Sequence, residues 1–150
     1  MKKLIILFML SFLTACTKPT AKETPLSEVM LEIKEAVSMS EAAEEDLSDQ
    51  KSAEKLGIST QSINDGIAYY STAESNSDKV ILVRAKTKED IEKLEQALSA
   101  ELTATTSAWK DNDTESKKIE NSLLKTKDDC VILAISDKID KIEEIFDKNL

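Results

Sequence analysis

The chain contains no histidine, which removes most of the acid–base and nucleophilic chemistry available near neutral pH. There is no imidazole base, no Ser-His-Asp or Cys-His arrangement, and no His-ligated zinc or haem. The two cysteines, Cys16 and Cys130, are too few for a four-cysteine metal site or a disulfide framework. What remains is carboxylate chemistry. Residues 111–115, Asp-Asn-Asp-Thr-Glu, alternate oxygen-bearing side chains as a calcium loop does. The sixth position, however, is Ser116 where such a loop needs Gly, and the twelfth is Ser122 where it needs Glu. A helix-breaking polar turn is the better account. The pairs Asp128-Asp129 and Glu44-Glu45 are sequence neighbours and do not face a shared cleft for general acid–base work. No catalytic residue, metal ligand set or cofactor follows from these types and spacings.

Candidate binding residues are easier to single out. Tyr69, Tyr70 and Trp109 are three of the four aromatic residues beyond Cys16. Strand alternation sends Tyr69 and Tyr70 to opposite faces, one to the core and one to an exposed or helix-covered surface where it can anchor a partner. Arg84 is the only arginine, and it sits beside Val80, Ile81, Leu82, Val83 and Ala85. It either snorkels to the strand edge and pairs with an acid, or clamps an anionic ligand. Cys130 has no resolving Cys or His, so a redox role is disfavoured. A formal charge of -9 argues against nucleic acid, which must be met by clustered Lys and Arg.

The N-terminus reads MKKLIILFMLSFLTAC. Lys2 and Lys3 form a charged start, residues 4–13 an apolar run broken only by Ser11, and small residues lead into Cys16. This is a secretory signal, to be set aside before the fold is considered. The run is too short to span a bilayer, which takes about 20 residues. Leu13-Thr14-Ala15-Cys16 resembles the bacterial lipobox. The resemblance implies cleavage between Ala15 and Cys16 and diacylglycerol on Cys16, which would hold the protein on the extracytoplasmic face of the cell membrane. Each buried CH₂ is worth about 0.8 kcal/mol, so two or three acyl chains, palmitate among them, anchor stably where one does not. Losing the signal also removes two lysines, so the mature domain is more acidic than the full chain, and no internal disulfide can form.

Residues 16–25 hold both prolines and read as the lipidated cysteine and its tether; residues 26–150 must then be the domain. Leu26, Val29, Met30, Ile33 and Val37 follow helical spacing. Residues 40–49 are acidic with little apolar content and read as a solvated helix or loop. Residues 48–56 read as a second short helix, closed by Gly57 with Ile58 behind it, as a Schellman ending requires. Residues 67–73 and 79–85 read as strands about a turn-rich link. The second is apolar on both faces, which suits an interior strand covered on both sides. Thr87 and Asp90 open a helix carrying Ile91, Leu94, Leu98, Leu102 and Trp109. After the polar break and a short helical turn at 115–121, strands at 123–126 and 130–136 and a last helix bearing Ile139, Ile142, Ile145 and Phe146 repeat the theme. The expected fold is α+β: two N-terminal helices, then two strand-strand-helix units forming one four-stranded antiparallel sheet with helices packed on it.

Laid out in this order, the chain resembles an uncharacterised bacterial lipoprotein family, domain of unknown function 4358. The resemblance rests on Leu56-Gly57-Ile58, on VILVRAKTKEDIEKLEQAL, on Asn121-Ser122-Leu123-Leu124 with KTKDDCVILAISDKID, and on Glu144-Ile145-Phe146, covering residues 26–148. Trp109-Lys110-Asp111-Asn112-Asp113 stands where the family tends to have a Tyr-x-Pro-like segment. Asp128-Asp129-Cys130 replaces its Gly-Asn-Tyr, which makes Cys130 a core substitute for an aromatic residue. The resemblance implies a lipoprotein and supports the fold; it brings no activity. The expected function is a non-enzymatic binding or accessory module, anchored to the membrane through Cys16 and touching a membrane-associated or cell-envelope protein. Small-ligand or ion capture is the alternative, and a carboxylate hydrolase stands last.

Overall fold

The computed structural model describes residues 23–150. The signal, Cys16 and the tether up to residue 22 lie outside the described residues. The elements are α1 (Leu26–Ala36), β1 (Ala42–Asp46), α2 (Gln50–Lys55), β2 (Ile63–Ser71), β3 (Lys79–Ala85), α3 (Lys88–Trp109), α4 (Asp113–Glu120), β4 (Leu123–Lys127), β5 (Cys130–Ile135) and α5 (Ile139–Asn149). The strands form one antiparallel sheet in the order β1-β2-β3-β5-β4.

The α+β class and the antiparallel sheet match the sequence expectation; the strand number does not. There are five strands, and the extra one is β1, in the acidic stretch read above as a solvated helix or loop. Ala, Glu and Asp are poor strand formers, so β1 has no local signal. It exists because β2 offers it a full register, from Ala42↔Ser71 to Asp46↔Ile67. Its acids also find partners on both faces of the sheet: Glu44 meets Lys34 of α1 at 2.9 Å and Glu45 meets Lys55 of α2 at 2.8 Å. Charge along an outer strand also discourages pairing with another chain.

Two apolar layers sandwich the sheet. Side chains alternate across β3 and β5, so Val80, Leu82, Cys130, Ile132 and Ala134 join α1 and α5 in one core. Ile81, Val83, Val131 and Leu133 face the other way and join Leu47, Ala53, Leu94 and Leu98. Both central strands are thus buried on both faces, which is why they read as unbroken apolar runs. The two strand-strand-helix units are not equivalent. In each, the hairpin partner lies on the outer side of a central strand, and the central strands run antiparallel. Yet α3 covers one face and α5 the other. The units therefore have opposite hands, and no rotation superposes them.

Local punctuation follows its residues. Gly57 takes a φ of +67°, with its N–H on Glu54 and that of Ile58 on the Ala53 carbonyl, both at 3.0 Å. This is the Schellman ending of α2. Asp128, in the β4–β5 turn, takes a φ of +52°, the left-handed region Asp tolerates better than most residues. Gly66 of β2 serves close approach instead: an added Cβ would stand 3.1 Å from Leu47 Cβ and 3.1 Å from Val83 Cγ1. Gly66→Ala is expected to destabilise the domain by about 1–2 kcal/mol through overpacking. This would appear as a lower urea midpoint at unchanged slope. An unchanged midpoint would show that Leu47 moves aside freely.

Candidate functional site

The four residues singled out for binding are distributed over both faces and both ends of the sheet. Tyr69 is 7% exposed and belongs to the core beneath α1, where Lys34 Nζ sits 5.4 Å from its ring centroid. The ring thus packs in the core and takes a cation–π contact on its face. Tyr70, one residue on, faces the α3 side and packs partly buried against the second core.

Tyr70 and Trp109 border the same hollow, about 380 Å³ in volume, between the last turns of α3 and the β2–β3 turn. Its floor is polar. Lys79 forms an ion pair with Glu101 and donates to Thr105 Oγ1 at 3.2 Å. Ala104 and Ala108 keep the α3 wall low, so the Trp109 ring is half-buried rather than covered. On the other side of Tyr70 lies a smaller recess of about 150 Å³ that includes Leu56, Ala68 and Ile81. The Tyr70 hydroxyl donates to Glu45 Oε1 at 2.8 Å, and Lys55 holds the same oxygen at 2.8 Å. The bond to Glu45, aided by burial, pushes the Tyr70 phenol above its ordinary range. Lys55 first and Tyr70 second hold the Glu45 carboxyl below its own. Tyr70 is thus fixed by its hydroxyl and presents a ring to the hollow, the form in which an aromatic residue anchors a contact at low entropic cost.

Arg84 stands at the other end of the sheet, where β3 runs into α3 and β4 turns into β5. It is 7% exposed and borders a hollow of about 1080 Å³ together with Thr24, Lys86, Lys88, Asp128 and Asp129. Its Nη2 donates to the Thr24 carbonyl at 2.9 Å. Thr24, near the start of the described residues, therefore lies at this end, opposite the Tyr70–Trp109 hollow. Cys130 lies beside Arg84 and is 1% exposed. Burial, only partly opposed by Arg84, pushes its thiol up to about 12. It stays protonated and unreactive at neutral pH.

Two of residues 111–115 spend their oxygens on structure, and Asp111, Asp113 and Thr114 are exposed. Asn112 Oδ1 caps α4 by accepting from the Glu115 N–H at 3.1 Å. Glu115 turns inward, where its Oε2 accepts from the Ser77 N–H at 2.8 Å, the Ser77 hydroxyl at 2.6 Å and Lys118 Nζ at 3.0 Å. Lys118 also meets Asp78 Oδ1 at 2.9 Å and Asn76 Oδ1 at 3.0 Å. The side chains of Lys118 and Glu115 are only 7% and 8% exposed, so this is a buried charged network pinning α4 to the β2–β3 turn. The sequence reading missed it. Its one local sign was the spacing Glu115, Lys118, Ile119, which puts two opposite charges and the only strongly apolar residue of α4 on one helical face. Among the described residues, no group of three or more Cys, Asp or Glu is placed to hold a metal ion.

A family model described as Domain of unknown function (DUF4358) matches residues 36–136, from the last residue of α1 through all five strands to the start of the β5–α5 link. No curated protein and no solved structure matches the chain.

Proposed function

Starting from a chain that belongs to the family of the domain of unknown function DUF4358, we propose a lipid-tethered, non-enzymatic binding module on the extracytoplasmic face of a bacterial cell membrane. It acts by contact with a membrane-associated or cell-envelope protein. The observation that carries this reading is the Tyr70–Trp109 hollow at the end of the sheet away from Thr24. On this reading the signal is cut after Ala15, Cys16 bears the lipid, and seven residues separate it from Thr24. Fully extended, they reach roughly 25 Å. The aromatic hollow then faces away from the bilayer, where a protein partner can approach it. Absence of histidine from the chain supports binding over catalysis.

Two measurements test the two halves of the proposal. Palmitate labelling of the native cell is expected to mark the wild type and to vanish in Cys16→Ala; equal labelling refutes the anchor. For the partner, a photo-crosslinking residue is placed at Ala108, exposed on the wall of the hollow, and in parallel at Lys141, exposed on α5 across the sheet. A discrete covalent adduct is expected from position 108 and none from 141, with Trp109→Ala lowering its yield about tenfold. Equal adducts from both positions, or none from 108, reject the contact surface.

A further inference from the structure

β4 is an open edge of the sheet, and one bond on the far side of β5 fixes the phase of its backbone. The Ala85 N–H meets the Asp129 carbonyl at 2.7 Å. Arg84 and Cys130 therefore face each other without exchanging hydrogen bonds, and Val131 and Leu133 bond to β3. Cys130, Ile132 and Ala134 then bond to β4, through Lys127, Lys125 and Leu123. Leu124 and Thr126 are left with N–H and C=O aimed off the sheet, the template an added strand needs. The edge is not guarded. Lys125 and Lys127, charges of the kind that block such pairing, are drawn onto α5. Lys125 pairs with Glu143 at 2.6 Å and Asp147 at 2.8 Å, and Lys127 donates to the Asp147 carbonyl.

A groove of about 740 Å³ runs along this edge between β4 and α3. The side chains of Leu124 and Thr126 face it, since their ladder partners Leu133 and Val131 belong to the α3-side core. Leu124 is 37% exposed, one of the two large apolar side chains left exposed among the described residues. The α3 wall includes Glu92 and Glu95, and the lining holds no lysine or arginine. Glu95 accepts from the Thr126 hydroxyl, so its carboxylate stands beside the edge. We propose that β4 takes an extended basic segment of a partner protein as an added antiparallel strand, with Lys or Arg opposite Thr126 and an apolar residue opposite Leu124. The base meets Glu92 and Glu95, and the apolar residue covers Leu124. Charge decides against a second copy of this chain. A two-fold edge pairing would continue the sheet with both α3 helices on one face, setting Glu92 and Glu95 of one copy toward those of the other. The groove lies on the opposite flank of α3 from the Tyr70–Trp109 hollow and stands or falls separately from it.

The probe is acetyl-Thr-Thr-Lys-Thr-Val-Thr-Thr-amide, added to the ¹⁵N-labelled full chain in detergent, with a control peptide in which Glu replaces Lys. The lysine peptide is expected to shift the Leu124 and Thr126 amides saturably and to slow their hydrogen exchange about tenfold. The amides of Glu44 and Glu45, on the other edge strand, are expected to stay unchanged. The glutamate peptide is expected to bind about fivefold more weakly. Glu92 is exposed on α3, so Glu92→Lys keeps the fold and is expected to reverse that preference. Leu124→Thr places a strand former at an exposed position and is expected to weaken both peptides about threefold. The proposal is overturned if neither peptide protects these amides, if protection spreads equally to β1, or if the two peptides bind alike. It is overturned as well if Glu92→Lys leaves the preference unchanged, or if self-association already protects the amides in the free chain.

Discussion

Lys118→Ala is expected to destabilise the domain by about 3 kcal/mol, near the lower end for unpairing a buried charge. The lower end applies because Lys118 also borders a surface hollow that water can enter. The substitution leaves Glu115 and Asp78 facing each other's charge without the ammonium that joins them. Against a total stability of about 5–15 kcal/mol for a domain of this kind, the loss is large. The pH dependence identifies its origin. Burial pushes the Glu115 carboxyl up, but the Ser77 hydroxyl and N–H with Lys118 outweigh it and hold the group below its ordinary range. A carboxyl depressed by folding stabilises the native state above its unfolded pKa, and that contribution fades as pH falls through the folded value. Burial likewise opposes the charge on Lys118, and Asp78 and Glu115 reverse it, leaving the ammonium raised. Its share is complete below the unfolded lysine value and fades only as pH rises through the folded one. The gap between wild type and Lys118→Ala in urea unfolding should therefore be widest around neutrality and close as Glu115 takes up its proton in acid. A gap that stays constant across the carboxylate range would assign the loss to packing of the lysine stem.

Phe146→Ala is expected to cost about 4 kcal/mol, within the range for truncating a large buried aromatic residue. Phe146 is 0% exposed and lies in the same core as Leu26, Ile33, Leu82 and Ile132. It is among the largest side chains buried between the α1–α5 layer and the sheet. These neighbours come from α1 and the two central strands, and strand backbones locked in a ladder cannot close over the void. The measurement is the urea midpoint with the slope held in view. A loss below about 1.5 kcal/mol would mean that α1 and α5 collapse into the space together.

What the sequence made legible was local. Leu56-Gly57-Ile58 announced its helix ending, and Val80 to Val83 announced a strand buried on both faces, because each signal is written within a few residues. What escaped was long-range. β1 is specified by its partner β2 and by Lys34 and Lys55 on flanking helices, none of which is visible within Ala-Ala-Glu-Glu-Asp. The Glu115–Lys118 network escaped because its other half, Ser77 and Asp78, lies some forty positions earlier in a turn. The candidate site was half legible for the same reason. Residue type singled out Tyr70, Arg84 and Trp109, but only the sheet register and the course of α3 bring Tyr70 together with Trp109 and set Arg84 at the far end. Alternation separates Tyr69 from Tyr70 but does not say which face α1 covers.

The opposite hands of the two strand-strand-helix units bear on ancestry. Copying a gene segment in tandem yields two modules of the same hand, since neither duplication nor drift can reflect a fold in a mirror. A tandem repeat that kept each helix on its original face would therefore not give this arrangement. The common plan of the two units reflects a shared constraint, that a sheet buried on both faces needs helices on each, here α1 and α5 on one and α2 and α3 on the other.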